Sequence, residues 1–114
     1  MISKEEIQAL LHSTENFRVE RTISTTNMDK FCEAICAFSN DLPDSRQKGY
    51  LLIGAYDDGR LSGLKVDDAL LKKISGIRSD GNILPLPVMT VERLEFPDGD
   101  LLVAEVSPSL LPPV

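Results

Sequence analysis

Few side chains in this 114-residue chain offer varied chemistry: two cysteines and one histidine. Cys32 and Cys36 stand four apart in a segment of helical period, on nearly the same face of neighbouring turns. A structural zinc site needs four ligands and His12 is distant in sequence, so the pair reads as reduced thiols acting as small apolar groups. With one histidine and no partner at a recognisable spacing, no nucleophile–base pair can be assembled. Cations are the other resource. Lys48, Arg60 and Lys65 flank a turn at Asp57-Asp58-Gly59 and are candidates to touch phosphates. Arg18 and Arg21 extend these three into a candidate basic edge. Lys72, Lys73 and Arg78 form a second cluster, which equally suits the negative pole of a helix dipole. The two aspartates fit a tight turn, bonding their own backbone ahead of a glycine at positive φ. Overall the chain is acidic, with 18 Asp and Glu against 12 Lys and Arg and a net charge of −6. Nucleic acid is therefore not held by bulk charge, and any contact must come from a local patch. With no tryptophan and 5% aromatic residues, a base-stacking platform is not expected. No glycine loop ends in Gly-Lys-Ser/Thr, so there is no Walker motif.

These residues need elements to position them. Ser3-Lys4-Glu5-Glu6 reads as a capping box ahead of a helix from about Lys4 to His12. Phe17, Val19 and Ile23 alternate with polar residues at the period of a half-buried strand, with Arg21 breaking its apolar face. Ser24 to Asn27 offers N-caps for a helix with Met28, Phe31, Cys32, Ile35 and Phe38 on one side. A polar loop containing Pro43 leads to Tyr50–Tyr56, an unbroken apolar run that suits a strand covered on both faces. After Asp57-Asp58-Gly59, Arg60–Leu64 is expected to return antiparallel as a hairpin. Asp67 caps a third helix, with Leu70, Leu71, Ile74 and Ile77 inward. Residues 79–87 are loop, stiffened by Pro85 and Pro87. Val88–Glu95 and Asp100–Val106 are strands about a turn at Pro97-Asp98-Gly99, and a proline-rich tail follows. The expected class is α+β: a single domain over residues 1–114, with a four- to five-stranded mixed sheet and about three helices on it. No apolar run is long enough to cross a membrane, and no signal peptide is evident, so a cytoplasmic location is expected.

Four motifs in order resemble one family. They are Glu15-x4-Glu20, then Ala37-Phe38-Ser39-Asn40 closing a helix, then Gly49 to Leu64 (GYLLIGAYDDGRLSGL), then Val103 to Ser109 followed by Pro112-Pro113. Together they resemble the Schlafen/AlbA-2 domain, also called the divergent AAA-4 domain, of bacterial transcriptional regulators. Two departures stand out. The family's glutamate–aromatic–lysine triplet reads Glu20-Arg21-Thr22, and its paired glycine before the central strand reads Lys48-Gly49.

The resemblance implies a DNA-binding module of a transcriptional regulator, acting through phosphate-backbone contacts and needing no cofactor. It also implies further C-terminal domains, because the family continues with a basic strand beyond the point where this chain ends. DNA is the expected partner ahead of RNA. The alternative is enzymatic. In the family's animal nucleases two glutamates five apart and an aspartate after the central strand form a metal-assisted RNA-cleaving site. Carried over, these are Glu15, Glu20 and Asp57, although the turn lengths also allow Tyr56 at the third place. Such carboxylates could hold Mg²⁺ or Mn²⁺ and activate water against a phosphodiester. Residues five apart on a regular strand face opposite ways, so Glu15 must lie in a bend for the pair to converge. The plainer reading makes Glu15 a loop residue and Glu20 a solvated strand position. A third possibility is a non-catalytic module that joins subunits into a homo-oligomer.

Overall fold

The computed structural model describes residues 4–11, 19–40, 48–79 and 88–107. His12, Glu15, Phe17 and Arg18 lie outside them, as do Ser3, the loop around Pro43, most of that around Pro85 and Pro87, and the tail after Ser107. Among the described residues the elements are α1 (Lys4–Leu11), β1 (Val19–Thr22), α2 (Met28–Asn40), β2 (Gly49–Ile53), α3 (Asp68–Ser75) with a 3-10 turn after it, β3 (Val88–Phe96) and β4 (Gly99–Ser107). The strands form one sheet in the order β1-β2-β4-β3. β1 runs parallel to β2, with Glu20 beside Leu51, and β4 runs antiparallel to both β2 and β3. The sheet is mixed and the class is α+β, as the sequence predicts.

Each strand alternates its side chains between two apolar layers. On one face α2 and α3 cover Leu51, Ile53, Met89, Leu102, Ala104 and Val106 with Phe31, Ile35, Phe38, Leu70 and Ile74. On the other, Ile7 and Leu11 of α1 cover Val19, Tyr50, Leu52, Leu94, Leu101 and Val103. All five residues of β2 are buried, which suits a nearly unbroken apolar segment. The Phe31/Ile35/Phe38 stripe rests on this strand closely enough that a Cβ at Gly49 would overlap the Phe38 ring. Caps set the helix starts. Asn27 Oδ1 accepts from the Lys30 N–H at 3.1 Å, and Asp67 Oδ1 from Leu70 N–H at 2.8 Å.

The expected hairpin return departs from the sequence reading. β2 stops at Ile53, because Gly54 adopts φ +113 and its N–H turns to the Thr22 carbonyl at 2.7 Å. Beyond it, the Arg60–Leu64 strand reduces to one antiparallel bridge, Ala55 with Leu61. The chain then leaves the sheet because Ser62 N–H bonds the Gly54 carbonyl and the Leu64 carbonyl accepts from Asp100 N–H. Among the described residues the sheet has four strands, within the expected four to five.

Candidate nucleic-acid interface

In a sheet with parallel strands, the loops at the strands' carboxyl ends are where ligands are usually met. Here that end gathers the Ile23–Thr26 connection, the 54–66 loop and the turn between β3 and β4. The 54–66 loop is pinned at several points. Thr22 O accepts from both Gly54 and Ala55 N–H, Val66 N–H donates to Asp100 Oδ2 at 3.0 Å, and Arg93 Nη1 donates to Val66 O at 3.2 Å. A pinned loop presents its side chains without first having to be ordered.

Arg60 is exposed on this loop. Its Nε donates to Asp58 Oδ2 at 2.7 Å, and its guanidinium lies 5.1 Å from the centre of the Tyr56 ring. The Arg60 backbone N–H also donates to Asp58 Oδ1 at 3.0 Å. That backbone bond, followed by the guanidinium, holds the Asp58 carboxyl below its ordinary value. Tyr56 is 40% exposed and Ile23 50%, so this end also carries apolar surface. Lys65 is exposed and makes no ion pair among the described residues. Asp57 is exposed in the turn itself.

Lys48 and Arg21 are elsewhere. Lys48 precedes β2, about 20 Å along the chain from the 54–66 loop at ~3.3 Å per residue. Its ammonium is paired with Glu105 Oε1 at 3.2 Å. Arg21 points to the α1 face, where its Nε donates to the Leu11 carbonyl at 3.1 Å. That contact satisfies an open carbonyl at the end of α1 and explains how an arginine fits beside apolar neighbours. The basic edge is thus divided: Arg60 and Lys65 share one loop, whereas Lys48 and Arg21 are engaged at other places. Of the second cluster, Lys73 Nζ donates to Thr25 O at 3.3 Å, tying α3 to the loop before α2.

Glu20 lies on the α2 face and pairs with Lys30 at 3.3 Å, both side chains being well exposed. Among the described residues, no three His, Cys, Asp or Glu side chains stand where they could hold a metal ion. A carboxylate triad would need Glu15, which lies outside those residues, to join Glu20 and Asp57. Neither cysteine forms a disulfide among the described residues, and both are half-buried on α2.

Sequence reasoning missed a polar knot at the opposite end of β2. The Tyr50 hydroxyl lies 3.0 Å from Glu105 Oε2 and 3.3 Å from Glu6 Oε1, with Lys48 on the far side of Glu105. Burial first, then the hydrogen bond to Glu105 and the two negative charges, pushes the Tyr50 phenol far above its ordinary value of 10.0. The partners are 44 and 55 residues away in sequence, so no local spacing announces them.

These features define a mixed-sheet α+β domain with helices on both faces and a pinned, partly cationic loop at the carboxyl end of its parallel strands. Comparison with known proteins gives the family. The Schlafen, AlbA_2 family model matches residues 15–114, and this chain belongs to that family. Among solved structures the chain is similar to the N-terminal domain of a protein from Nitrosomonas europaea related to the ATP-dependent DNA helicase RecG, determined by solution NMR. The two share 26% identity at a TM-score of 0.59, over 95% of this chain and 74% of that one. Comparison with curated proteins gives no match. Among the described residues, no helix is long and apolar enough to cross a membrane.

Proposed function

We propose that this domain is a nucleic-acid-contacting module, directed to DNA ahead of RNA, and that it serves within a transcriptional regulator. Its contacts run from the 54–66 loop to the phosphate backbone. The observation that carries this reading is the pair of cations on one pinned loop: Arg60 and Lys65 are both exposed, and Lys65 is without an ion-pair partner among the described residues. Family membership supports it, and a relative named for a DNA helicase favours DNA. Phosphate contacts position a protein without reading sequence, so this module alone would bind with little sequence preference.

Fluorescence anisotropy with labelled duplex and single-stranded oligonucleotides, at low and at high salt, tests the proposal. Binding that weakens steeply with salt is expected. The double variant Arg60→Ala/Lys65→Ala should flatten the logarithmic salt dependence by about two phosphate contacts' worth. Absence of any binding at low salt would overturn the reading.

A further inference from the structure

An open groove of about 530 Å³ lies between α1, the 54–66 loop and the turn joining β3 to β4. Its volume is within the range of small-ligand sites, roughly 300–1,000 Å³. Leu11, Leu61 and the partly buried Phe96 give it apolar walls, while Gln8, Arg60 and Asp98 supply polar groups. Lys4 adds a second cation beside the groove, its ammonium 5.5 Å from the centre of the Phe96 ring.

We propose that this groove is a subsite for one unpaired nucleotide of a single-stranded nucleic acid, which rests on the nucleic-acid reading above. The chemistry of the walls selects that occupant. A base is a flat apolar plate with hydrogen-bonding edges, and an aromatic and aliphatic slot takes its faces. The Gln8 amide offers a donor and an acceptor, and Asp98 an acceptor, to such an edge. Each base in a strand is followed and preceded by a phosphodiester, and Lys4 and Arg60 place one cation near Phe96 and another on the 54–66 loop. A base entering beside Phe96 displaces the Lys4 ammonium from the ring toward the adjoining phosphate. Duplex keeps its bases stacked and offers no such plate, so the groove distinguishes single strands from duplex. This is a single slot and differs from an extended stacking platform, for which the chain has too few aromatic residues.

The test compares a labelled 12-nucleotide strand with an abasic strand of the same length, by anisotropy on the intact chain. The base-bearing strand should bind about tenfold more tightly, the scale of one stacked base. Phe96→Leu should bring the two affinities together and Gln8→Ala should narrow the gap between them, each chiefly by weakening binding of the base-bearing strand, with thermal melting confirming the fold. If Phe96→Leu fails to fold, Gln8→Ala decides, because Gln8 is exposed and packs in neither core layer. Amide shifts of Gln8, Gly59, Leu61 and Phe96 on titration with a thymidine dinucleotide should locate the contact independently. Equal affinity for abasic and base-bearing strands overturns the subsite and leaves the phosphate-contact reading standing. So does an undiminished base preference in a folded variant. No binding of any strand at low salt overturns both.

Discussion

Among the described residues, the core layer that α2 and α3 form with one face of the sheet holds thirteen buried residues; the layer that the eight-residue α1 forms with the other holds nine. Apart from size, the layers differ in what they admit. The α2/α3 layer is almost wholly aliphatic and aromatic, and its charged neighbours, such as Glu20 and Lys30, pair outside it. The α1 layer takes in a phenol, two carboxylates and an arginine at its margins, through Tyr50, Glu6, Glu105 and Arg21. A helix of eight residues is too short to persist by itself and depends on what it packs against. Among the described helices α1 covers its face alone, whereas the equally short α3 shares its face with the thirteen-residue α2. Stability should therefore concentrate in the first layer. The second carries the adjustable contacts and, through Gln8 and Leu11, one wall of the groove.

Large-to-small substitutions give the sharpest way to break this comparison. Phe31→Ala should cost about 3–5 kcal/mol in urea unfolding. Ile7 is equally buried but belongs to the short α1, which can settle into the space that Ile7→Ala leaves, so about 2–3 kcal/mol is expected. An equal or larger loss at Ile7 would overturn the ranking of the two faces. Next in size is Gly49→Ala, whose new methyl meets the Phe38 ring; overpacking there should cost roughly 1–3 kcal/mol.

Tyr50→Phe probes the polar margin and should cost about 1 kcal/mol at neutral pH. Its alkaline behaviour is more telling. Because folding raises the Tyr50 pKa, the stabilisation from the neutral phenol is complete below the ordinary value of 10.0 and is lost as pH rises above it. Thermal midpoints of the parent should fall faster above pH about 10 than those of Tyr50→Phe. Parallel curves would show that Tyr50 ionises without cost. The smallest effect is expected at the loop: Arg60→Ala, removing an exposed, solvent-screened pair with Asp58, should leave the thermal midpoint close to that of the parent. A larger loss in its thermal melt would show that Arg60 supports the fold rather than simply facing solvent.

Much of the architecture was legible in the sequence because it rests on local rules. The apolar stripe of α2, the continuous run of β2, the Asp67 cap and the Pro97-Asp98 turn each depend on residues within a few positions of one another. The Arg60–Leu64 segment was misread for a physical reason. Its alternation fits a strand, but the partners that redirect it, Thr22 through Gly54 and Asp100 through Leu64, lie far off in sequence. The candidate site was legible only in part. Arg60 and Lys65 belong to one loop and were found together. The engagement of Lys48 by Glu105 across 57 residues was hidden, as was a groove assembled from three separated segments.

One of the two edge strands of the described sheet, β3, is nine residues long and bears Glu92, Arg93 and, beyond the buried Leu94, Glu95. A rim of that length is a template onto which another chain's backbone can add, and clustered charge is a standard deterrent to such growth. Solubility is therefore written partly into side chains that contribute little to folding, whereas Arg93 also bonds the Val66 carbonyl. Replacing Glu92 and Glu95 with threonine should move the melting midpoint little yet raise light scattering on concentration. Clear solutions of that double variant would place the deterrent elsewhere.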